Sequence, residues 1–410
     1  MIERKEYFAK LKKLQNKKII KVVTGIRRCG KSTLLKMFRE HLIKTGIPEK
    51  QLITINFEDI DYEEYTDYKK LYRYISEKMQ PDVMNYIFLD EVQTVHEFQK
   101  AIDSLFIKEN VDIYVTGSNA YMLSGEIATL LSGRYIEIKM LPLSLKEYKE
   151  LREESQMKEI TSDTNLYKDY VTYGSFPYVV ALNQDKELTR DYIMGIYSTV
   201  LLKDIMQRKK IMDSLMLESV VKFAFDNIGN ILSIKKISDT MTSAGRKIST
   251  PTVESYLSSL LESYVLYKIG RYDIKGKQYL KTQEKYYAAD MGLRYFLLGS
   301  KTGDEGHILE NIIYLELLRR GYEIFIGKVD EFEVDFITKR QGEYAYYQVA
   351  LTVRDEQTLQ RELRPLELIQ DHFPKYLITL DDDHEIYHNG IKQINAIDFL
   401  MKSYLIDIPS

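Results

Sequence analysis

Tryptophan is absent from the 410 residues, cysteine occurs once and only 8 prolines interrupt the chain. The single thiol, Cys29, can form no internal disulfide and is too little for a structural zinc site, so redox and metal-cluster roles drop out. Its place in a glycine-rich loop fits a small side chain tolerated there. No apolar run approaches the roughly 20 residues needed to span a bilayer. The opening segment, Met1 to Lys13, carries four lysines, an arginine and two glutamates around no apolar core. A cytoplasmic protein with no membrane partner is therefore expected. Excess charge is missing too: a formal net charge of -3 supplies no basic field, so any contact with nucleic acid has to be local. What is present, a 44% hydrophobic and 29% charged composition, describes a chain packed throughout. At roughly 100–200 residues per domain, two to four compact units are expected.

Lys18 to Thr24 is a β-branched apolar run followed by a glycine-bounded turn and a helical pattern from Ser32 to Lys44. Further strands read at Leu52 to Phe57, Tyr86 to Leu89, Ile113 to Thr116 and Tyr135 to Met140, with helical stretches at Tyr68 to Met79 and His96 to Lys108. Such alternation predicts an α/β fold with a mostly parallel sheet covered by helices. Leu145 to about Lys210 reads as helical, as in a lid. A second helical cluster contains Ser249-Thr250-Pro251, where Thr250 suits a cap and Pro251 the first helical position. Val253, Tyr256, Leu257, Leu260, Leu261 and Tyr264 then form one apolar stripe, which assigns these tyrosines to a core rather than to base stacking. Val265 to Tyr272 and Gln278 to Tyr287 read as a hairpin around Lys275-Gly276-Lys277, and helices plus a terminal hairpin suggest a winged helix. A helix from Gly306 to Arg319, strands at Tyr322 to Ile326, Glu333 to Thr338 and Tyr344 to Val349, then Leu359 to Gln370 and Lys375 to Thr379, predict a closing α/β unit.

Gly25-Ile26-Arg27-Arg28-Cys29-Gly30-Lys31-Ser32 satisfies G-x-x-x-x-G-K-[ST] at every fixed position, between a predicted strand and a predicted helix. The glycines let backbone N–H groups turn inward around phosphate oxygens, and the helix N-terminus adds partial positive charge. Lys31 is expected to reach the β- and γ-phosphates and Ser32 to offer its hydroxyl to Mg²⁺, with Thr33 completing the nucleotide-binding set. Tyr86-Ile87-Phe88-Leu89-Asp90-Glu91 ends an apolar strand in two acids. Asp90 is expected to hold the magnesium shell and Glu91 to polarise the attacking water, which implies hydrolysis. A third strand ends in Thr116-Gly117-Ser118-Asn119, where Ser118 or Asn119 would orient water or the γ-phosphate, or simply make a turn. Arg134, just before another strand, is a candidate arginine finger for a neighbouring subunit, or a surface ion pair.

The loop, Leu89-Asp90-Glu91, Thr116-Gly117-Ser118, Ser132-Gly133-Arg134 and Pro142-Leu143-Ser144 together resemble the AAA+ ATPases of bacteria and archaea that carry a conserved C-terminal region of unknown function. Tyr173-Gly174-Ser175-Phe176-Pro177, Leu202-Lys203-Asp204-Ile205, Tyr286 to Arg294 and Leu309-Glu310-Asn311 resemble signatures of that region. The resemblance implies a P-loop AAA+ core (1–143), a helical lid (144–212), a winged-helix-like domain (213–300) and a restriction-endonuclease-like α/β domain similar to PD-(D/E)XK nucleases (301–410). It also implies ATP rather than GTP as the nucleotide.

A nuclease site of that kind needs a helix acid, a strand-end Asp, and then an acid and a Lys on the next strand. Glu310 and Asp335 fit as metal ligands, with Glu333 in reserve, but Gln348-Val349-Ala350 lacks the lysine and has an amide for the acid. A nuclease-like fold without cleavage is expected. On the winged helix, Glu254, Ser255, Ser258, Ser259 and Glu262 form a face poor in cations, while Arg246, Lys247, Lys275 and Lys277 offer four backbone contacts from its flanks. DNA and a protein partner both stay open, as does homo-oligomerisation. The expected function is an ATP-hydrolysing switch acting on the winged-helix and nuclease-like module. The alternatives are an ATP-gated nuclease and a nucleotide-bound sensor that does not turn over.

Overall fold

The computed structural model describes residues 2–123, 131, 133–155, 162–209, 211–301, 303–383 and 386–401. They form two compact units, Met1–Pro142 with Glu262–Tyr264, and Leu143–Leu261 with Val265–Ser410. In the first unit the elements run α1 (Lys5–Leu14), β1 (Ile20–Thr24), α2 (Lys31–Lys44), β2 (Leu52–Asn56), α3 (Tyr68–Lys78), β3 (Asn85–Asp90), α4 (Phe98–Phe106), β4 (Val111–Gly117) and β5 (Tyr135–Lys139). The five strands pair in the order β2-β3-β4-β1-β5, all parallel. Every side chain of β1 and β4 is buried, as a parallel sheet covered on both faces requires. On one face Ile20, Val22, Ile87, Leu89, Ile113 and Val115 pack with Leu71 and Ile75 of α3 and Ile102 and Leu105 of α4. Across the sheet, Phe38 of α2 lies 5.2 Å from the Tyr114 ring, which stacks at 4.9 Å on Phe88.

That second face also contains a charge pair. Lys21 of β1 and Asp112 of β4, 0% and 1% exposed at their side chains, form a salt bridge. Asp112 further accepts from the Asn16 N–H and the Tyr114 hydroxyl, each at 2.8 Å, and the Lys21 ammonium donates to the Lys17 carbonyl at 2.9 Å. Burial pulls the lysine below its ordinary value, against the pull of Asp112. Removing one partner strands the other in a dry interior. Lys21→Met or Asp112→Leu alone is therefore expected to cost about 3–5 kcal/mol in denaturant unfolding, and the double variant less than either single one.

The second unit opens with α5 (Leu145–Glu154), capped by a reciprocal Ser144–Glu147 box, followed by α6 (Asp163–Tyr173) and α7 (Lys186–Tyr197). Next come α8 (Ser214–Asp226), β6 (Ile231–Leu232), α9 (Ile234–Ser243), α10 (Thr250–Glu262), β7 (Leu266–Asp273), β8 (Gln278–Ala288) and α11 (Met291–Leu298). The chain closes through α12 (Glu305–Arg319), β9 (Glu323–Val329), β10 (Phe332–Arg340), β11 (Glu343–Val349), α13 (Glu356–Glu367), β12 (Lys375–Thr379), β13 (Ile386–His388) and β14 (Ile391–Asn395). All strands of this unit join one nine-stranded sheet, β13-β14-β12-β11-β10-β9-β7-β8-β6. The winged-helix boundary expected at residue 300 falls inside this sheet, because β7 pairs in parallel with β9. The hairpin is thus the continuation of the C-terminal sheet, and strands β13 and β14 extend it beyond the elements expected from sequence. Two local expectations also shift. Ser249 supplies the cap of α10, accepting from Thr252 N at 3.3 Å, in place of Thr250. Ser259, expected on the exposed face, is fully buried and donates to the Ser255 carbonyl at 2.7 Å.

Two of the signatures meet at Asp290. Its buried carboxylate accepts from the Ser175 N–H at 2.6 Å, the Ser175 hydroxyl at 2.7 Å and the Leu293 N–H at 2.7 Å. A Cβ on Gly174, at φ +88, would stand 2.6 Å from that carboxylate, and one on Gly292 would stand 2.5 Å from the Gly174 nitrogen. Tyr173 to Pro177 and Ala288 to Arg294 therefore interlock backbone against backbone. Among the described residues no helix is long and apolar enough to cross a membrane.

Candidate functional site

Parallel strands bring their carboxyl ends to one edge, and this edge collects the predicted chemistry. The loop after β1 begins with Gly25 at φ +150, where a Cβ would lie 2.1 Å from the Met140 carbonyl. It continues through buried Ile26, half-buried Arg27 and exposed Arg28 at φ +68, and ends with buried Cys29 and with Gly30 at φ +106 as the cap of α2. Lys31, Ser32 and Thr33 form the first turn of α2. The Lys31 ammonium donates to the Gly25 and Ile26 carbonyls at 3.1 and 3.3 Å and lies 3.5 Å from Glu91 Oε1. Arg4, which the sequence reading passed over, braces this loop: it is buried and donates to the Cys29 carbonyl at 3.3 Å and the Leu141 carbonyl at 2.9 Å.

Strand β4 lies between β1 and β3, and its Thr116 ties the acids together. The Thr116 hydroxyl donates to Asp90 and accepts from the Glu91 N–H at 2.9 Å. Burial raises the Asp90 carboxyl above its ordinary value, against hydrogen bonds from Thr116 and Ser32. A half-buried carboxylate joined to the Ser32 hydroxyl is a pair of hard oxygen donors whose charge a small divalent cation would relieve, so these residues fit Mg²⁺. Glu91, at φ +53, behaves oppositely. Its burial works against ionisation, but Lys31, the Gln93 amide and the Ser118 hydroxyl outweigh it and hold the carboxyl below the usual range. Gln93 Nε2 and Ser118 Oγ donate to Glu91 Oε2 at 2.6 and 2.8 Å. Of the Ser118–Asn119 pair, it is thus Ser118 that is seen bonded to Glu91, while the Asn119 carbonyl accepts from Met122 N at 3.2 Å. Gln93 was missed because an amide two residues after the acid pair matches no pattern.

A family model described as "AAA domain" matches residues 17–149, and one described as a domain of unknown function (DUF8612) matches residues 164–304. A Haemophilus influenzae protein described as uncharacterized is 39% identical over 403 residues, covering 98% of this chain and 99% of that protein. The chain belongs to the same family of AAA-domain proteins. A second uncharacterized member, from Methanocaldococcus jannaschii, is 27% identical over 97% of this chain and 88% of its own length. A solved Walker-type ATPase of Pyrococcus abyssi shares the fold, with a TM-score of 0.50 at 17% identity, over 72% of this chain and 96% of that one. The AAA-type P-loop assignment is thereby established. The nuclease likeness gains no support: the second model carries no function and ends at residue 304, before Glu310 and Asp335.

The remaining candidates of this AAA-domain protein lie elsewhere. Arg134 precedes β5, its carbonyl accepting from Ile20 N at 2.8 Å, so it stands at the amino-end edge of the sheet, opposite its own phosphate loop. Its guanidinium pairs with Asp103 and lies 5.9 Å from the Phe106 ring centroid. Ser132 of the same motif lies outside the described residues. Two of the four cations expected to meet a nucleic-acid backbone are engaged within the protein. Arg246 bonds Ser219 and, at 3.0 Å, the Leu215 carbonyl, and Lys275 pairs with Asp330 at 2.6 Å.

Glu310 of α12 and Asp335 of β10 do converge, around a lysine that no motif revealed. Lys285, from β8, lies 2.9 Å from Glu310, 2.7 Å from Glu333 and 4.0 Å from Asp335, and is itself 4% exposed. Gln348 bridges the two strands and α13, its Oε1 accepting from the Asp335 N–H at 3.4 Å and its Nε2 donating to Glu362 at 2.9 Å, while the Val349 N–H caps the Asp335 carboxylate at 2.8 Å. Burial, then Glu310, push Asp335 well above its ordinary value, whereas for Glu310 burial is outweighed by Lys285 together with hydrogen bonds from His307 and Tyr287, which hold it low. Among the described residues no group of three acidic, histidine or cysteine side chains forms a metal cage. The expected metal pair is, in this structure, the counter-charge of an internal ammonium.

Two predictions follow from these networks. In Gln93→Leu the Glu91 carboxyl loses its closest donor, so the acid limb of the rate profile is expected to move to higher pH, as turnover against pH will show. Lys285→Met leaves three acids without their cation. The folded-state pKa values of Glu310 and Asp335, both held by Lys285, then rise, and a raised carboxyl pKa stabilises only while protonated. The stability deficit, about 3–5 kcal/mol near neutrality, should shrink as pH falls towards about 5.

Proposed function

We propose that this chain hydrolyses ATP at the Gly25–Ser32 loop and uses the nucleotide state to switch the unit that follows. The observation carrying this reading is Glu91, a buried carboxylate kept ionised by Lys31, Gln93 and Ser118 beside Asp90. Phosphoryl transfer through a loose transition state needs positioning and charge stabilisation more than a strong base. The water oxygen bonds to the γ-phosphorus while the bond from that phosphorus to the bridging oxygen breaks, its electron pair leaving with ADP. Glu91 orients the water and receives its proton. Lys31 exchanges its loop carbonyls for phosphate oxygens, and the N–H groups of the loop and of the first turn of α2 bind the rest. Ser32 and Asp90 would hold Mg²⁺, which supplies neutralising charge to the phosphates.

For the output, a protein partner is the better reading than DNA, because Arg246 and Lys275 are already occupied and the exposed face of α10 presents Glu254 and Ser255. Cleavage of nucleic acid by Glu310 and Asp335 is disfavoured by the Lys285 cluster. Arg134, at the far edge of the sheet, has a catalytic part only towards the loop of another copy, in a homo-oligomer of this cytoplasmic ATPase.

Lys31→Ala is expected to abolish nucleotide binding, and Glu91→Gln to retain ATP while lowering turnover by about 10²-fold or more. Turnover of purified protein with Mg²⁺, alone and with duplex DNA, checks both. Equal rates in Glu91→Gln and the parent would remove Glu91 from its role, and strong stimulation by DNA would reverse the choice of partner.

A further inference from the structure

Arginines belong to this nucleotide site at two places, and the structure treats them differently. Arg134 stands at the amino-end edge of a wholly parallel sheet and is paired with Asp103. Arg27 stands at the other edge, as the third residue of the phosphate loop, with its guanidinium paired to Glu58. Glu58 follows β2 by two residues. Asn56, the last residue of β2, is in register with Asp90 of β3, and the intervening Phe57 donates its N–H to the Asp90 carbonyl at 3.1 Å. The ion pair with Glu58 therefore draws the Arg27 guanidinium across the strand ends that carry Asp90 and Glu91. Its charge is among those that keep Glu91 ionised. Arg28, by contrast, is exposed and takes the left-handed backbone of the turn.

We infer that Arg27 is a catalytic arginine supplied by the chain to its own nucleotide, exchanging Glu58 for the γ-phosphoryl oxygens of ATP. This rests on the ATP-hydrolysis reading of the loop. The exchange is favourable on simple grounds. The side chains of Arg27 and Glu58 are 25% and 44% exposed, and a surface pair of this kind holds its partners weakly. The forked guanidinium makes paired, charge-assisted bonds to a phosphoryl group that carries more negative charge than a carboxylate. That charge spreads over the equatorial oxygens as the bond to ADP breaks, so the contact strengthens towards the transition state. Glu58 holds the guanidinium close by until then. Hydrolysis in this family member does not have to wait for an arginine from a second copy.

The test separates contact with the γ-phosphate from turnover. Affinities for ADP and for a non-hydrolysable ATP analogue, both with Mg²⁺, and the rate of ATP hydrolysis would be measured for the parent, Arg27→Ala, Arg27→Lys and Glu58→Gln. Arg27→Ala should keep ADP affinity within about threefold, lose about tenfold in affinity for the analogue, and lower kcat by about 10³-fold, the low end for catalytic arginines. Arg27→Lys, a point charge without the fork, should fall between. Glu58→Gln should bind the analogue a fewfold more tightly, since the guanidinium no longer leaves an ion pair. An Arg27→Ala protein with the parent's preference for the analogue and the parent's rate overturns the inference, as does an equal loss of ADP and analogue, which would mark Arg27 as a prop of the loop. If the parent itself shows no turnover but Arg27→Ala still loses the preference for the analogue, the hydrolysis reading fails and the contact of Arg27 stands. A parent that binds neither nucleotide sinks both.

Discussion

The nucleotide-binding unit depends on where Thr116 sits. Strand β4 runs between β1 and β3, so its last side chains separate the phosphate loop from the acid pair, and the hydroxyl of Thr116 bridges to both acids at once. It donates to Asp90, which shares the Ser32 hydroxyl, and it accepts from the Glu91 N–H at the point where Glu91 turns into left-handed backbone. One short side chain thus sets the direction of two carboxylates with opposite tendencies. Asp90 is driven towards protonation by burial and so suits a cation. Glu91 is driven towards ionisation by Lys31 and its two donors, and so suits a water molecule. The sheet register beneath, with Val23 beside Thr116 and Leu89 beside Val115, is the mechanical condition for this division of labour.

How much of this was legible in the sequence follows from how local each feature is. The loop, the acid pair and the five strands around them announce themselves because each is a short contiguous pattern whose chemistry demands its own spacing. Ser118 and Gln93 show the limit: both bond Glu91, yet one shares its turn with an equally plausible Asn119 and the other fits no pattern. The second unit was harder. Its individual helices and strands were readable, but the parallel pairing of β7 with β9 is a contact across an intervening hairpin strand and two helices, and no periodicity carries it. Helices followed by a hairpin suggest a winged-helix-like domain ending at residue 300, and nothing local to that stretch indicates a further strand partner for β7. The sheet continues because β7, paired with β8 along one edge, pairs with β9 along the other.

The lysine of the C-terminal cluster illustrates the same point through charge. Reading along the chain, the place where a nuclease carries its lysine holds Gln348-Val349-Ala350, and the site looks deficient. In space an ammonium is present, carried by β8. Its surroundings decide its meaning. Three acids lie within 4.0 Å of one buried ammonium, the Tyr287 hydroxyl donates to Glu310 at 2.6 Å, and Asp335 is driven towards its neutral form, which lowers the excess of negative charge. A buried cluster of that kind is costly to break and gains little stability when formed.

Sequence signatures that resemble a family are easily taken for chemistry, and this chain separates the two kinds. Gly25 is needed because the Met140 carbonyl leaves no room for a Cβ, in a loop whose N–H groups serve a ligand. Gly174 and Gly292 are needed for a similar steric reason, but what crowds them is Asp290 and each other's backbone. The carboxylate of Asp290 spends its capacity on the Ser175 N–H and hydroxyl and the Leu293 N–H, and burial raises its pKa despite them. Asn311 is satisfied in the same way, accepting from the Ala288 N–H at 2.7 Å and donating to the Ala288 carbonyl at 2.9 Å. These polar groups are turned wholly inward, with donors and acceptors matched, which is the mark of a fold-specifying network. In the phosphate loop the polarity is reversed: the Lys31 ammonium and the Arg27 guanidinium rest on partners that phosphate can replace.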